Sequence, residues 1–122
     1  MYKAAVALKS LFSGFGLPAY QAGSVPDDTS LPYITYSLVS PEWNQKATMY
    51  VQVWDRTTEN TGIIKKADEI TAAIGEQKRI PLDGAGYLYI WPEPSNVQIQ
   101  VDGDYRYALI NLSINGYHMP GV

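Results

Sequence analysis

Few side chains in this sequence have the types and spacing that catalysis requires. The histidine His118 lies in a segment, 116–122, that we expect to be a flexible tail, whereas general-base catalysis needs a fixed geometry with a nucleophile in reach. Asp27 and Asp28 are adjacent carboxylates, but the proline before them favours a turn, which aspartate stabilises through its side chain. The chain contains no cysteine, which excludes thiol nucleophiles, thiolate metal sites and disulfides. We therefore predict no catalytic residue and no enzymatic activity.

Candidate metal and cofactor sites are equally sparse. Asp102 and Asp104 flank Gly103 and offer carboxylate oxygens, but a calcium site needs about six to eight oxygen ligands and no neighbouring residue continues the pattern. A hairpin turn accounts for them more simply. The glycines at 84–86 lack the lysine and the following helix of a phosphate-binding loop. The sequence predicts neither a metal nor a cofactor.

Composition excludes several further classes of function. The chain has 122 residues and a formal net charge of -3, so it offers little basic surface for the phosphate contacts that dominate nucleic-acid affinity. No stretch approaches the roughly 18 consecutive apolar residues of a membrane span, and no signal peptide is recognisable at the N-terminus. We expect a single domain over residues 1–122 that is synthesised in the cytoplasm, with no membrane partner and no sequence-specific nucleic-acid partner.

Aromatic residues give the strongest indication of a contact surface. The sequence contains ten tyrosines and three tryptophans, and Tyr87, Tyr89 and Trp91 share one face of a predicted strand because they are spaced by two residues. This stripe packs either against a helix in the core or against another subunit, since tyrosine and tryptophan are enriched at interfaces. If Leu88 and Ile90 point to the core, the first alternative fails.

Three other segments carry candidate interface residues. The segment 18–32 is rich in proline, glycine and aspartate, which predicts a long exposed loop carrying Tyr20, Asp27 and Asp28. Trp43 lies in a predicted turn. Arg56 ends a predicted strand, where its guanidinium can bind a carboxylate of its own chain or of a neighbour through two hydrogen bonds.

Hydrophobic periodicity predicts the elements that carry these residues. Apolar residues at helical spacing indicate amphipathic helices from Ala4 to about Ser13 and from Ile63 to Ile74. Alternating or β-branched segments indicate strands near 33–39, 47–54, 79–82, 87–91, 97–101 and 105–114. We expect Pro92 and Pro94 to end the strand at 87–91. The order predicts an α+β fold, with a mostly antiparallel sheet of about five strands packed against two helices.

One feature of the sheet stays open from sequence. Asp102-Gly103 predicts a hairpin turn, but a turn of two residues and a turn of three residues are both compatible with the pattern. A difference of one residue exchanges the two faces of the strand that precedes the turn.

Several short segments in a fixed order resemble the tail terminator, or tail completion, proteins of long-tailed phages. They are Gly-Leu-Pro-Ala-Tyr at 16–20, Val-Pro at 25–26, Leu-Pro-Tyr-Ile-Thr-Tyr at 31–36, Val-Trp-Asp-Arg at 53–56, and a helix before Ile-Pro-Leu-Asp-Gly at 80–84. The resemblance spans roughly residues 1 to 115. The segments 92–96 and 102–103 depart from the pattern.

The resemblance implies a structural virion protein assembled in the bacterial host cytoplasm and located at the tail-head junction. Such proteins form a homo-hexameric ring, end the polymerisation of the tail tube protein and bind head completion or connector proteins. We expect subunits to stay monomeric until a finished tube end acts as a template. Two alternatives are another neck component, such as a head completion protein, and a small ligand-binding or hydrolytic domain with a pocket lined by Tyr87, Tyr89 and Trp91.

Overall fold

The computed structural model describes residues 2–37, 46–56, 59–82, 84 and 86–118, apart from the side chains of Ser95, Tyr117 and His118. Two helices and six strands form within these residues. In chain order they are α1 (Tyr2–Phe12), a 3-10 turn (Ser13–Phe15), β1 (Ala19–Gln21), β2 (Tyr33–Tyr36), β3 (Lys46–Asp55), α2 (Thr61–Ile74), β4 (Lys78–Leu82), β5 (Gly86–Asp102) and β6 (Tyr105–His118).

The first helix follows directly from its apolar spacing. Ala4, Leu8 and Phe12 recur every four residues and are all buried, so they form one stripe on α1. The helix gives way to the 3-10 turn, and Gly16 then takes the left-handed conformation with φ 81°. This end agrees with the predicted boundary near Ser13.

The second helix is held at both of its ends. Its buried stripe consists of Ile63, Ala67, Ile70 and Ile74. Gly75, with φ 63°, donates its N–H to the carbonyl of Thr71 at 2.9 Å, which ends the helix where the sequence predicts. At the other end the Asn60 side chain makes no capping bond, and its Oδ1 instead accepts a hydrogen bond from Arg106 on β6 at 3.1 Å. This bond ties the start of α2 to the sheet.

The described strands form one sheet in the order β1-β2-β3-β6-β5-β4. All neighbouring pairs are antiparallel except β1 and β2, which are parallel. Helix α1 contacts both edge strands, β1 and β4, so the sheet must curl around the helices. The predicted α+β class is confirmed, with six strands in place of about five.

The additional strand lies within the segment that the sequence predicts to be loop. β1 covers only Ala19–Gln21, and its pairing begins where the carbonyl of Pro18 accepts the N–H of Ile34 at 2.8 Å. After the strand, Ala22 donates its N–H to the carbonyl of Tyr36, also at 2.8 Å. Three residues are too few for a recognisable alternation, so the strand depends on β2 rather than on its own sequence.

The prediction that Pro92 and Pro94 end a strand is wrong. β5 continues through both prolines to Asp102, with a shift in its register against β6 between Pro92 and Val97. β4 pairs with β5 only as far as Ile90, so the prolines lie where β5 has become a sheet edge. An edge tolerates proline because no ladder bond is lost on its open side.

The turn between β5 and β6 contains two residues, Gly103 and Asp104, because Asp102 pairs with Tyr105. This settles the register that the sequence left open. β6 also continues three residues into the segment expected to be a flexible tail, since Gly86 pairs with His118. Residues 119–122 lie outside the described part of the chain.

One apolar core lies between the helices and one face of the sheet, here called the core face. The core face contributes residues of all six described strands: Ala19, Ile34, Tyr36, Met49, Val51, Val53, Ile80, Leu82, Leu88, Ile90, Ala108, Ile110, Leu112 and Ile114. Phe12 joins the layers, because its ring stacks on that of Tyr36 at a centroid distance of 5.1 Å and an interplanar angle of 27°.

Replacing Phe12 with alanine should destabilise the protein strongly. The side chain is 0% exposed and stacked, so Phe12→Ala leaves a cavity and should lower the free energy of unfolding by about 3–5 kcal/mol. Val6, which is 52% exposed on the same helix, provides the control. Val6→Ala should change the value by no more than about 0.5 kcal/mol. Urea titrations measure both, and equal losses would contradict the assignment of the core stripe.

The buried Tyr36 should make stability sensitive to alkali. Burial raises the pKa of its hydroxyl above the ordinary value of 10.0. The folded state therefore holds this proton more tightly than the unfolded state. The resulting stabilisation is fully present below pH 10.0 and is lost as pH rises through the folded-state pKa.

Comparison with Tyr36→Phe isolates this effect. Above the unfolded-state pKa, the free energy of unfolding of the wild type should fall relative to that of the variant by up to about 1.4 kcal/mol per pH unit. Urea titrations over an alkaline pH series measure the difference between the two proteins. A constant difference across the series would rule out a contribution from this hydroxyl.

Candidate functional site

The opposite face of the sheet, here called the outer face, is rich in half-buried aromatic residues. It includes Tyr33, Trp54, Tyr87, Tyr89, Trp91 and Tyr107. Leu88 and Ile90 are 2% and 0% exposed and point to the core, so the intervening aromatic stripe cannot belong to it. The possibility that Tyr87, Tyr89 and Trp91 form a core face is therefore excluded.

The aromatic side chains on the outer face are held in place by one another and by polar partners. The rings of Trp54 and Tyr107, on neighbouring strands, lie 4.4 Å apart with an interplanar angle of 34°. Trp54 Nε1 donates a hydrogen bond to Thr35 Oγ1 at 2.9 Å, and Thr35 Oγ1 donates to Gln52 Oε1 at 3.1 Å. These contacts leave Thr35 only 4% exposed although it belongs to the outer face.

A second set of polar contacts holds the part of β5 that contains the register shift, between Pro92 and Val97, on the outer face. Asn96 Nδ2 donates a hydrogen bond to the carbonyl of Asn111 at 2.8 Å. The hydroxyl of Ser113 donates to Glu93 Oε1, and Lys46 Nζ lies 3.9 Å from the same oxygen. The register shift is thus anchored to β6, and Ser113 is buried beneath it at 2% exposure.

Two arginine–tyrosine pairs lie at opposite ends of the sheet. The guanidinium carbon of Arg79, on β4, lies 4.6 Å from the ring centre of Tyr87. The guanidinium carbon of Arg56, just after β3, lies 4.9 Å from the ring centre of Tyr105. Arg56 Nη2 also donates a hydrogen bond to the Tyr105 hydroxyl at 2.8 Å. In the second pair the arginine is therefore oriented by a directional bond as well as by stacking.

Arg56 faces a cleft of about 480 Å³, here called the Arg56 cleft. One side is formed by Val25, Pro26, Asp27, Thr29, Leu31 and Tyr33, and the other by Asp55, Arg56 and Tyr105. The cleft therefore lies between the segment before β2 and the adjacent ends of β3 and β6. Its volume is within the range of about 300–1,000 Å³ that ligand pockets occupy.

The segment that closes the cleft is a hydrogen-bonded turn. Both the N–H and the hydroxyl of Thr29 donate to the carbonyl of Pro26, at 3.1 and 2.7 Å. Asp27 and Asp28 occupy the central positions of this turn, as the sequence predicts, and both are exposed. Asp27 lines the cleft, as Arg56 does, whereas Asp28 is not among the lining residues.

The structure brings some of the predicted interface residues together. Asp27 and Arg56, far apart in sequence, both line the Arg56 cleft. Tyr20 packs edge-to-face on Tyr33 at a centroid distance of 6.1 Å, and Lys9 Nζ lies 5.0 Å from the Tyr20 ring centre. Tyr20 therefore contacts a residue that lines the cleft but is not itself a lining residue.

The other predicted residues lie elsewhere. Tyr87, Tyr89 and Trp91 form a separate patch of the outer face on β5. Trp43 lies outside the described residues.

Sequence reasoning missed the partners of Arg56. Tyr105 follows the β5–β6 turn and belongs to no motif, and Asp55 entered only as part of the Val-Trp-Asp-Arg segment at 53–56, not as a contact of Arg56. Arg56 and Tyr105 come together because Asp55, which precedes Arg56, pairs with Arg106, which follows Tyr105 on β6. That register was not available from sequence, because the two strands are separated by α2, β4 and β5.

The described part of the chain holds no group of three or more His, Cys, Asp or Glu side chains placed to bind a metal ion. Within the same residues, neither helix has the length and hydropathy of a membrane-spanning segment.

Comparisons with known proteins define the fold but not a family. No protein-family model matches the chain, and no curated protein matches it. A solved structure is similar over 98% of this chain and 96% of its own, with a TM-score of 0.63 and 14% sequence identity. At this identity the likeness shows a shared α+β fold alone.

The bond between Trp54 and Thr35 should contribute to stability separately from the stacking of Trp54 on Tyr107. Trp54→Phe removes the indole N–H but keeps a ring, and Thr35→Val removes the acceptor. A double-mutant cycle measured by urea unfolding should give a coupling energy of about 0.5–1.5 kcal/mol between the two positions. A coupling energy of zero would show that the hydrogen bond does not stabilise the outer face.

Proposed function

We propose that this protein is a structural subunit of a phage-type tail that closes the end of the tail tube and provides the surface to which the head is joined. In this role it acts in the virion at the tail-head junction after assembly in the host cytoplasm. Its partners are further copies of itself in a six-membered ring, the tail tube protein and a head completion or connector protein. No catalytic step is part of this function.

The observation that carries the proposal is the outer face. Half-buried aromatic residues extend across it from Tyr33 to Trp91, and no described helix covers it, since both helices pack on the core face. Tyrosine and tryptophan combine a large apolar surface with a polar group, which suits surfaces that alternate between water and a protein partner. A subunit that must bind neighbours above, below and beside it needs such a surface.

The charge of the chain supports passage of DNA through the proposed ring. With 12 acidic and 9 basic residues, the subunit carries a formal net charge of -3. A ring of such subunits would not hold the phosphate backbone through many Lys and Arg contacts. The resemblance of segments 16–20, 31–36 and 53–56 to tail terminator proteins provides the specific assignment.

The two alternatives differ in what they require. A head completion protein would use a similar surface but would bind the portal side, so binding to purified tail tubes separates the two roles. A ligand-binding domain would need a pocket at Tyr87, Tyr89 and Trp91. These residues lie on the outer face of a sheet that curls toward the helices, and the Arg56 cleft is lined by other residues.

Solution mass tests the proposal. Light scattering over a concentration series, with negative-stain imaging, should reveal six-subunit rings, either unaided or once purified tail tubes are added. Rings that form only after tubes are added would show that the tube end acts as the expected template. A stable ring formed by the pure protein would contradict the expectation that a template is needed. A monomer or dimer that is indifferent to tubes would argue against the whole assignment.

A pair of charge substitutions tests the role of the outer face. Trp91→Arg places a charge in the aromatic patch and should abolish rings while leaving the thermal unfolding transition in place. Ile64→Arg is the control, since Ile64 is 39% exposed on α2, in the other layer. That variant should assemble as the wild type does. Loss of assembly in the control alone would place the interface on the helices instead.

A further inference from the structure

The Arg56 cleft contains an unusual arrangement of hydrogen-bond donors. The Tyr105 hydroxyl accepts an N–H of Arg56 at 2.8 Å, so its own hydrogen remains to be donated. The guanidinium uses one of its five N–H groups in this bond, and Arg56 forms no ion pair with a carboxylate of the described residues. A phenol O–H and several guanidinium N–H groups are therefore available side by side.

These donors match a carboxylate. A guanidinium binds a carboxylate through two parallel N–H···O bonds, and an adjacent O–H can donate to the same oxygens. The pairing with Tyr105 holds the arginine before any ligand arrives, which lowers the entropy lost on binding. The cleft also offers apolar contacts through Val25, Leu31 and Tyr33.

The acidic residues of the cleft narrow the choice of ligand. Asp27 and Asp55 line the same space as Arg56, so two carboxylates accompany one guanidinium. Asp55 Oδ1 accepts the backbone N–H of Arg56 at 2.8 Å, and Asp27 is exposed. This balance disfavours a doubly charged phosphate. A ligand with a single carboxylate meets less repulsion than phosphate does, and a peptide also offers N–H groups that aspartate can accept.

We propose that the Arg56 cleft binds a carboxylate carried by a peptide segment of a partner protein, with Arg56 and Tyr105 as its donors and an apolar side chain of the segment on Val25 and Leu31. This binding role rests on the proposed joining function, which supplies the kind of partner, and adds the chemistry by which the partner is recognised. Binding is measured on the isolated chain, so it can fail while ring formation succeeds, or succeed while ring formation fails.

The carboxylate has two possible sources, a chain terminus and an acidic side chain, and three peptides distinguish them. They are acetyl-Ala-Leu-Val with a free carboxylate, the same peptide as its amide, and the amide of acetyl-Ala-Leu-Asp-Val. Titrations followed by the NMR resonances of the arginine side-chain N–H groups should shift Arg56 with the first peptide, the third, or both. Binding of the neutral amide as tightly as the charged peptides would overturn the proposal, as would tighter binding of inorganic phosphate.

Variants with a matched control test the residues. Arg56→Gln should weaken binding by about tenfold or more, and Tyr105→Phe, which keeps the ring but loses the O–H, by about two- to tenfold. Arg79→Gln is the control, because Arg79 also stacks on a tyrosine but does not line the cleft. Its affinity for the peptide should equal that of the wild type.

Folding is checked by the thermal unfolding transition of each variant. Because Arg56 is exposed, Arg56→Gln should keep the wild-type transition. The cleft does not bind carboxylates if Arg56→Gln and Arg79→Gln lose the same affinity for the peptide. The same conclusion follows if neither charged peptide shifts the Arg56 resonance at millimolar concentration.

Discussion

The register of β5 against β6 determines the chemical character of both sheet faces. Asp102 pairs with Tyr105 across a two-residue turn, which places Ile99 on the same face as Ala108 of β6. The register shift between Pro92 and Val97 then exchanges the faces of β5, so that Leu88 and Ile90 point to the helices and the residues between them to the outer face. Aliphatic side chains occupy the first set, while tyrosine and tryptophan occupy much of the second. A shift of one residue would place Tyr89 in the core and Ile90 in water, so the apolar core and the aromatic surface depend on the same hydrogen-bond ladder.

Much of the fold follows from local sequence. The helix at 61–74 combines a buried stripe with a glycine that ends it, and both signals act within a few residues. β1 was not predictable, because a three-residue strand exists only through its parallel partner. The continuation of β5 through Pro92 was missed for a related reason. Proline is tolerated there because β4 does not extend beyond Ile90 along β5. This is a property of the sheet and not of the segment.

The candidate site, too, was only partly predictable from local sequence. Arg56 and Asp27 were identified one at a time, from the end of a strand and from a turn-forming segment. The pairing of β3 with β6 brings Tyr105 to Arg56, and the pairing of β2 with β3 brings the segment of Asp27 to the same cleft. Both pairings join separate parts of the chain. The aromatic stripe at 87–91 was recognised from its spacing, but its assignment to a face required the burial of Leu88.

The last strand of the described chain, β6, lies in the middle of the sheet between β3 and β5. Until these residues are synthesised, the earlier strands form two unconnected pieces, β1-β2-β3 and β4-β5, each with its apolar side uncovered. The final ladder must then close on both sides at once, over contacts far apart in sequence, which is the kind of topology that folds slowly. On the ribosome, the nascent chain therefore completes this core only once β6 has been synthesised and exposes unpaired strand edges until then.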